Sequence, residues 1–244
     1  MKMTRKLIPA LVMLLVSAIM LSTASFAWFA SNNMVTADGM NVKVVSSAAF
    51  LQISDEDGAQ WSNAASAKNK NTAELNLVHA TIGNDNALSW YTAGGLTPGS
   101  SAIDSNTKKD VTANLAGYAR VDKFKIRMSE GSQTQLTNIV VGSISVSGSI
   151  GVEGKLTNAL RVLVVGSNGV AQIWSYETGE WICDNNGTQQ IVCPQVPDYN
   201  SSATITVYTY LDGESEFAFT DNATAATISN ALSVTVTFTT QAQS

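Results

Sequence analysis

The chain predicts an all-β protein, a jelly-roll-like β-sandwich with a long insertion and a few short helices, behind an N-terminal signal helix. Three observations predict it. No helical period of any length appears after Trp28. Short runs rich in Val, Ile, Thr and Tyr recur between turns of Gly, Asn and Ser. Many short strands with Gly-rich turns favour a sandwich or jelly roll, with an immunoglobulin-type core as the competing architecture. The spacing of the only two cysteines, Cys183 and Cys193, is much too short for the inter-sheet bridge of that competitor.

The signal helix is read from residues 1–27. A basic start (Lys2, Arg5, Lys6) precedes an apolar run, Leu7 to Leu21, of 15 residues, which is short of the roughly 20 needed to span a bilayer. The run ends in small residues rather than a cationic flank, so a cleaved secretory signal is the better reading and an uncleaved anchor the competing one. Ser25 and Ala27 hold the small-residue positions, and cleavage after Ala27 leaves Trp28 as the new N-terminus. Membrane contact is then expected only through the uncleaved signal. The cut removes three of 14 cations and none of 19 acids, taking the net charge from −5 to −8. Such a balance argues against nucleic acid and against adhesion to an anionic membrane surface.

Residues 28–244 have the size of one β-sandwich domain. Asn41 to Ser47 and Ala49 to Ser54 read as short strands before the turn cluster Asp55-Glu56-Asp57-Gly58. Residues 62–116, rich in Ala, Asn, Ser, Thr and Gly, read as a loop-rich insertion with one short helix around Asn63 to Leu77. From Gly117, GYARVDKFKIRMS alternates: Phe124, Ile126 and Met128 share one parity, which Arg120 and Asp122 blur at its start. Further strands are expected at Ile139 to Val152, Ala159 to Val165, Val170 to Tyr176, Ala203 to Leu211 and Leu232 to Thr240.

Cys183 and Cys193 each end an apolar pair, with Asn185-Asn186-Gly187 between them, so they are expected to face each other across a hairpin. In an exported chain a disulfide is the favoured state, and two reduced, packed thiols the alternative. His79 is the only histidine, which rules out an HExxH helix and a two-histidine metal site and reads best as a structural residue. No GxSxG elbow places a serine beside it. Asp55, Glu56 and Asp57 lack EF-hand spacing and read as a surface turn before a calcium site. The LDGESE run, Leu211 to Glu216, reads as a solvated turn. No cofactor is expected, and the chain reads as non-enzymatic, with a secreted hydrolase the least favoured class.

Residues 1–45 resemble the TasA/camelysin family of exported proteins, whose signals are cut by a dedicated signal peptidase of the SipW type. The matching features are the basic start, the apolar run, the aromatic pair Trp28-Phe29 at the cut, and then Val35, Thr36, Ala37, Gly39, Met40, Val42 and Val44. The tail, VYTYLDGESE followed by a spacer and LSVTVTF, also looks like that of exported proteins of Gram-positive anaerobes carrying this signal. The resemblance implies a secreted jelly-roll subunit of extracellular biofilm-matrix or cell-surface fibres, with itself as partner. It also implies that the freed N-terminal segment, residues 28–45, pairs as a strand with a neighbour. Phe29, Met34, Val35, Met40, Val42 and Val44 are the donor-strand candidates, in a segment with few charges and no proline. Camelysin-type members are assigned as metalloproteases, and the single histidine argues against carrying that activity over. No LPxTG-like sortase motif and no lipobox cysteine are present. The alternative is a monomeric surface adhesion or carbohydrate-binding module using Trp61, Trp90, Tyr91 and Trp174, for which core packing is the competing role.

Overall fold

Alternation fixes which residues point inward, and the strands it builds stack in layers. The computed structural model describes residues 34–35, 41–46, 50–68, 75–93, 108–132, 134–148, 152–177, 179–184, 190–215, 217–218 and 232–241. The expected signal helix, the Ala27-Trp28 cut, Phe29 and Met40 lie outside the described residues.

In chain order the strands are β1 (Met34–Val35), β2 (Asn41–Ser46), β3 (Leu51–Asp55), β4 (Ala64–Ser66), β5 (Leu75–Asn76), β6 (His79–Ile82), β7 (Leu88–Ala93) and β8 (Lys108–Asp110). They continue with β9 (Ala119–Met128), β10 (Thr137–Ser147), β11 (Leu160–Val165), β12 (Ala171–Glu177), β13 (Glu180–Cys183), β14 (Ile191–Gln195), β15 (Ala203–Leu211) and β16 (Ser233–Thr240). A 3-10 helix, Val152–Ala159, precedes β11. The all-β sandwich is thus the fold. One sheet has five strands in the order β14-β10-β16-β2-β4, and the facing sheet has six, β13-β12-β11-β15-β9-β3.

Between these sheets lies the main core, which includes Val42, Val44, Phe124, Ile126, Leu160, Val162, Ile205, Val207, Val234 and Phe238. The opposite face of the six-stranded sheet is covered too. A three-stranded sheet, β6-β7-β8, packs Val78, Ala80, Trp90 and Val111 against Ala119, Leu163, Ile173 and Tyr210. Trp90 meets Tyr210 edge-on, centroids 4.9 Å apart, and leans on Tyr208 at 5.5 Å. Such aromatic contacts add to the burial of large apolar side chains, worth about 1.5–3 kcal/mol each.

Both sides of the sandwich are stitched by main-chain bonds. On one side Ile53 and Ser62 exchange N–H···O bonds of 2.7 and 3.1 Å, and Ser46 N donates to Asn63 O at 2.8 Å. On the other, the turn after β11 covers the edge of β14: Ser167 N donates to Val192 O at 2.8 Å and Asn168 Nδ2 to Ile191 O at 3.0 Å. Covering an edge in this way removes unpaired groups that would otherwise template another strand.

Four expectations are corrected. The stretch expected to be helical around Asn63 to Leu77 contributes β4 and β5 instead, because the edge of β2 and the β1 backbone take its hydrogen bonds. Within the described part of 62–116, β6, β7 and β8 form a third layer where loop is expected. The strand expected from Ile139 to Val152 ends at Ser147, where Gly148 turns the chain at φ 86°. The cysteine hairpin is absent. Asp184 N continues β13 onto Ile173 O of β12 at 3.0 Å, whereas β14 pairs with β10 in the other sheet. Cys183 and Cys193 are buried thiols that form no disulfide: the first faces Gln172 Oε1 at 3.9 Å and the second Gln195 O at 3.2 Å.

Arg120 and Asp122 keep the inward parity of β9. They form a buried pair, Nε to Oδ2 at 2.6 Å and Nη2 to Oδ1 at 3.2 Å. Burial pushes the Asp122 carboxyl above its ordinary value of 3.8, against the pull of Arg120 and with the charge of Glu56 adding to the rise. The folded chain therefore binds this proton at higher pH than the unfolded chain. Over the window from the raised value down to 3.8, Asp122 makes stability increase as pH falls. Asp122→Asn is expected to delete that component from the variant, so that wild-type and variant unfolding free energies measured across the acid range diverge within this window. Parallel pH profiles would refute it.

Gly166 has no room for a methyl group. A Cβ there would lie 2.2 Å from Val192 O and 2.6 Å from Val192 Cα, both backbone atoms. Gly166→Ala is expected to lift the turn off β14 and to lower unfolding free energy by about 3 kcal/mol or more, read by denaturant titration.

Candidate functional site

The four described donor-strand candidates fall on two strands. Met34 and Val35 form β1, whose backbone pairs antiparallel with Asn76 and Leu75 of β5. Val42 and Val44 belong to β2. They are fully buried in the main core, with Ser46 behind them, while Lys43 points outward. The alternation N-V-K-V-V-S is what a strand needs when one face is core and the other is wet.

β2 sits between β16 and β4. It runs parallel to β16 through six register pairs, Asn41 opposite Ser233 to Ser46 opposite Phe238. It runs antiparallel to the three residues of β4, with Val44 opposite Ala65. Among the described ladders, the β2–β16 pair alone is parallel. Asn41 N donates to Leu232 O at 2.7 Å and Ala67 N to Val42 O at 2.8 Å, which extend the two ladders. Without β2 the five-stranded sheet would hold an open slot lined by Val234, Val236 and Phe238.

The joint after β2 is strained. Phe50, just before β3, has φ 68° and is 59% exposed. A bulky residue in the left-handed region is held there by its surroundings at a cost of about 1–3 kcal/mol. Ser129 N donating to Phe50 O at 2.7 Å supplies part of that hold.

A second cluster centres on His79. Its Nδ1 lies 2.9 Å from Asp212 Oδ1 and its Nε2 3.6 Å from Glu214 Oε2. Arg161 Nε approaches Asp212 Oδ2 at 3.4 Å, and Arg161 Nη1 donates to the carbonyls of Asn158 and Leu160 at 3.0 Å. Val78 N to Leu211 O at 3.0 Å and Gly213 N to Val78 O at 3.2 Å fix the same junction in the main chain. A protonated imidazole donates from both nitrogens and suits two carboxylates; a neutral ring donates from one. The cluster thus fastens β6 to the turn after β15, and no serine or cysteine side chain is bonded to His79 in a nucleophilic arrangement among the contacts described. The LDGESE turn is not simply solvated, since Asp212 and Ser215 are buried. Asp212 and Arg161 escape the sequence reading because 51 residues separate them; only the lone histidine hinted at a partner.

Of the four aromatic candidates, Trp90 and Trp174 are core residues and Tyr91 is half-buried. Trp61 remains at the surface beside Arg127. Asp55, Glu56 and Asp57 form a turn in which Asp57 pairs with Lys68, and Glu56 approaches Lys123. Among the described residues, no group of three or more His, Cys, Asp or Glu is placed to share a metal ion.

His79→Leu is expected to free β6, β7 and β8 from the junction, costing roughly 1–3 kcal/mol. Hydrogen exchange checks it: amides of these strands should lose protection while those of β11 and β15 keep theirs, and equal protection throughout would sink the idea. Comparison with known proteins matches the chain to no family model, no curated protein and no solved structure.

Proposed function

We propose that the chain is an exported structural subunit of an extracellular or cell-surface filament of the biofilm-matrix type, assembling by N-terminal strand exchange after signal cleavage. Cleavage between Ala27 and Trp28 by a signal peptidase of the SipW type, and release from a Gram-positive cell, belong to the same reading. So does the absence of enzymatic activity.

The observation that carries it is β2, a strand from the N-terminal part of the chain filling a slot beside the last strand in sequence, parallel to it. An identical β2 from another copy can make the same ladder and bury the same Val42 and Val44. Exchange therefore conserves contacts and costs mainly ordering entropy and the opening of a joint. The strained Phe50 lowers the cost of that opening. Donation head to tail propagates as a filament wherever the rotation between successive copies does not close a ring.

Negative-stain microscopy of the purified protein, its N-terminus verified by mass spectrometry, should show fibres. A synthetic peptide of residues 28–46 should fill free slots and shorten them. A protein that stays monomeric at high concentration and acidic pH with the correct N-terminus would overturn the proposal.

A further inference from the structure

The outer face of the six-stranded sheet is covered by the three-stranded layer over β11, β12 and the end of β15, but not over β3 and the middle of β9. On that bare area β9 presents Lys123, Lys125 and Arg127 on alternate residues, about 7 Å apart. This is a cationic row on a chain of net charge −5.

Arg127 is built rather than merely exposed. Its guanidinium stacks on Trp61 at 4.0 Å and on Tyr199 at 4.2 Å, while Nε donates to Gln52 Oε1 at 3.2 Å and Nη1 to Tyr199 O at 3.0 Å. Stacking on two rings fixes the plane of the group, and the bonds to Gln52 and Tyr199 use Nε and Nη1, so the Nη2 donors suit a carboxylate. Lys125 has no ion pair among the described residues. Lys123 is partly offset by Glu56 at 3.7 Å, a contact between half-exposed side chains that contributes little. Beside the row, Thr204 and Thr206 stand opposite Lys125 and Lys123 in register and add hydroxyls.

We propose that this face binds an extended acidic polysaccharide, with sugar carboxylates at Lys125 and Arg127 and sugar rings against Tyr199 and Trp61. Charge spacing decides the class. Duplex DNA carries one charge per about 1.7 Å, and an acidic protein with a short cationic row repels so dense a polyanion. A glycan with at most one carboxylate per ring places its charges more sparsely and offers hydroxyls to the threonines. The inference does not depend on strand exchange, because β2 lies in the other sheet.

Calorimetric titration of the purified protein with polygalacturonate tests it, with dextran and a single-stranded oligodeoxynucleotide as the competing ligands. Polygalacturonate should bind, more weakly as salt rises, and both competitors should bind at least about tenfold less tightly. Lys125→Glu should weaken binding about tenfold with an unchanged thermal midpoint, whereas Lys43→Glu, on the opposite sheet, should leave it unaltered. Absence of polygalacturonate binding, dextran or oligonucleotide binding of equal strength, or an unaffected Lys125→Glu variant would each overturn the proposal.

Discussion

β11 has to be buried on both faces, and the layering follows from that. Its sequence, LRVLVV, sends Leu160, Val162 and Val164 into the sandwich and Leu163 out the other side. An antiparallel sheet normally leaves one face to water. Here the outward apolar residues of β11, β12 and β15 need a cover, and β6, β7 and β8 supply it with Trp90 at the centre. Arg161, the one charged residue of β11, shares that outward parity and is buried, so it needs a counter-charge. Asp212 meets it, and His79 joins Asp212 from the covering layer. The ionic cluster is therefore a consequence of the double burial, since an unpaired buried guanidinium would cost several kcal/mol.

The inner side of the same sheet poses a different problem at its edges. A sandwich of five and six strands has four edge strands, and three of them are engaged by neighbouring backbone: β3 and β4 near Ser62, β14 by the turn at Ser167. β2 is not an edge. It is an interior strand contributed by the N-terminal part of the chain, bound through a full ladder on one side and a three-residue ladder on the other. A strand placed so can leave only by opening the sheet, which is why a strained joint at Phe50 matters: it offsets part of the opening cost before any partner arrives.

Legibility followed the periodicity. β9, β11, β12, β15 and β16 were readable within a few residues because their alternation or apolar continuity is local. Arg120 and Asp122 blur the β9 pattern as sequence but keep it in the structure, and their mutual bond explains how two charges fit the inward face. The third layer was not readable, since its strands are short and its apolar residues, Val78, Ala80, Trp90 and Val111, are spread along a polar stretch. The cysteine error has the same origin. Asn185-Asn186-Gly187 signals a change of direction, but whether the chain returns in the same sheet or in the facing one depends on long-range pairing, here with Ile139 and Val140. Trp90 and Trp174 take the core-packing role of the two the sequence allows, because composition cannot tell a stacking platform from a core ring; Trp61 stays nearer the surface, where its partner is a guanidinium.

The two proposed roles fall on different sheets. The five-stranded sheet holds β2 and would change composition, not shape, if β2 came from another copy, because the incoming strand restores Val42 and Val44 to the same places. The six-stranded sheet takes no part in that replacement, and its bare β3–β9 face points away from the slot. A subunit joined through the first sheet keeps the cationic row of the second one exposed. In the proposed filament, repetition would set identical sites at a fixed spacing, and many such sites acting on one long polymer would bind it far more tightly than any single site does. The row of three cations binds on a single subunit in this proposal, and assembly into a filament would add avidity where the polymer is long enough to span neighbouring copies.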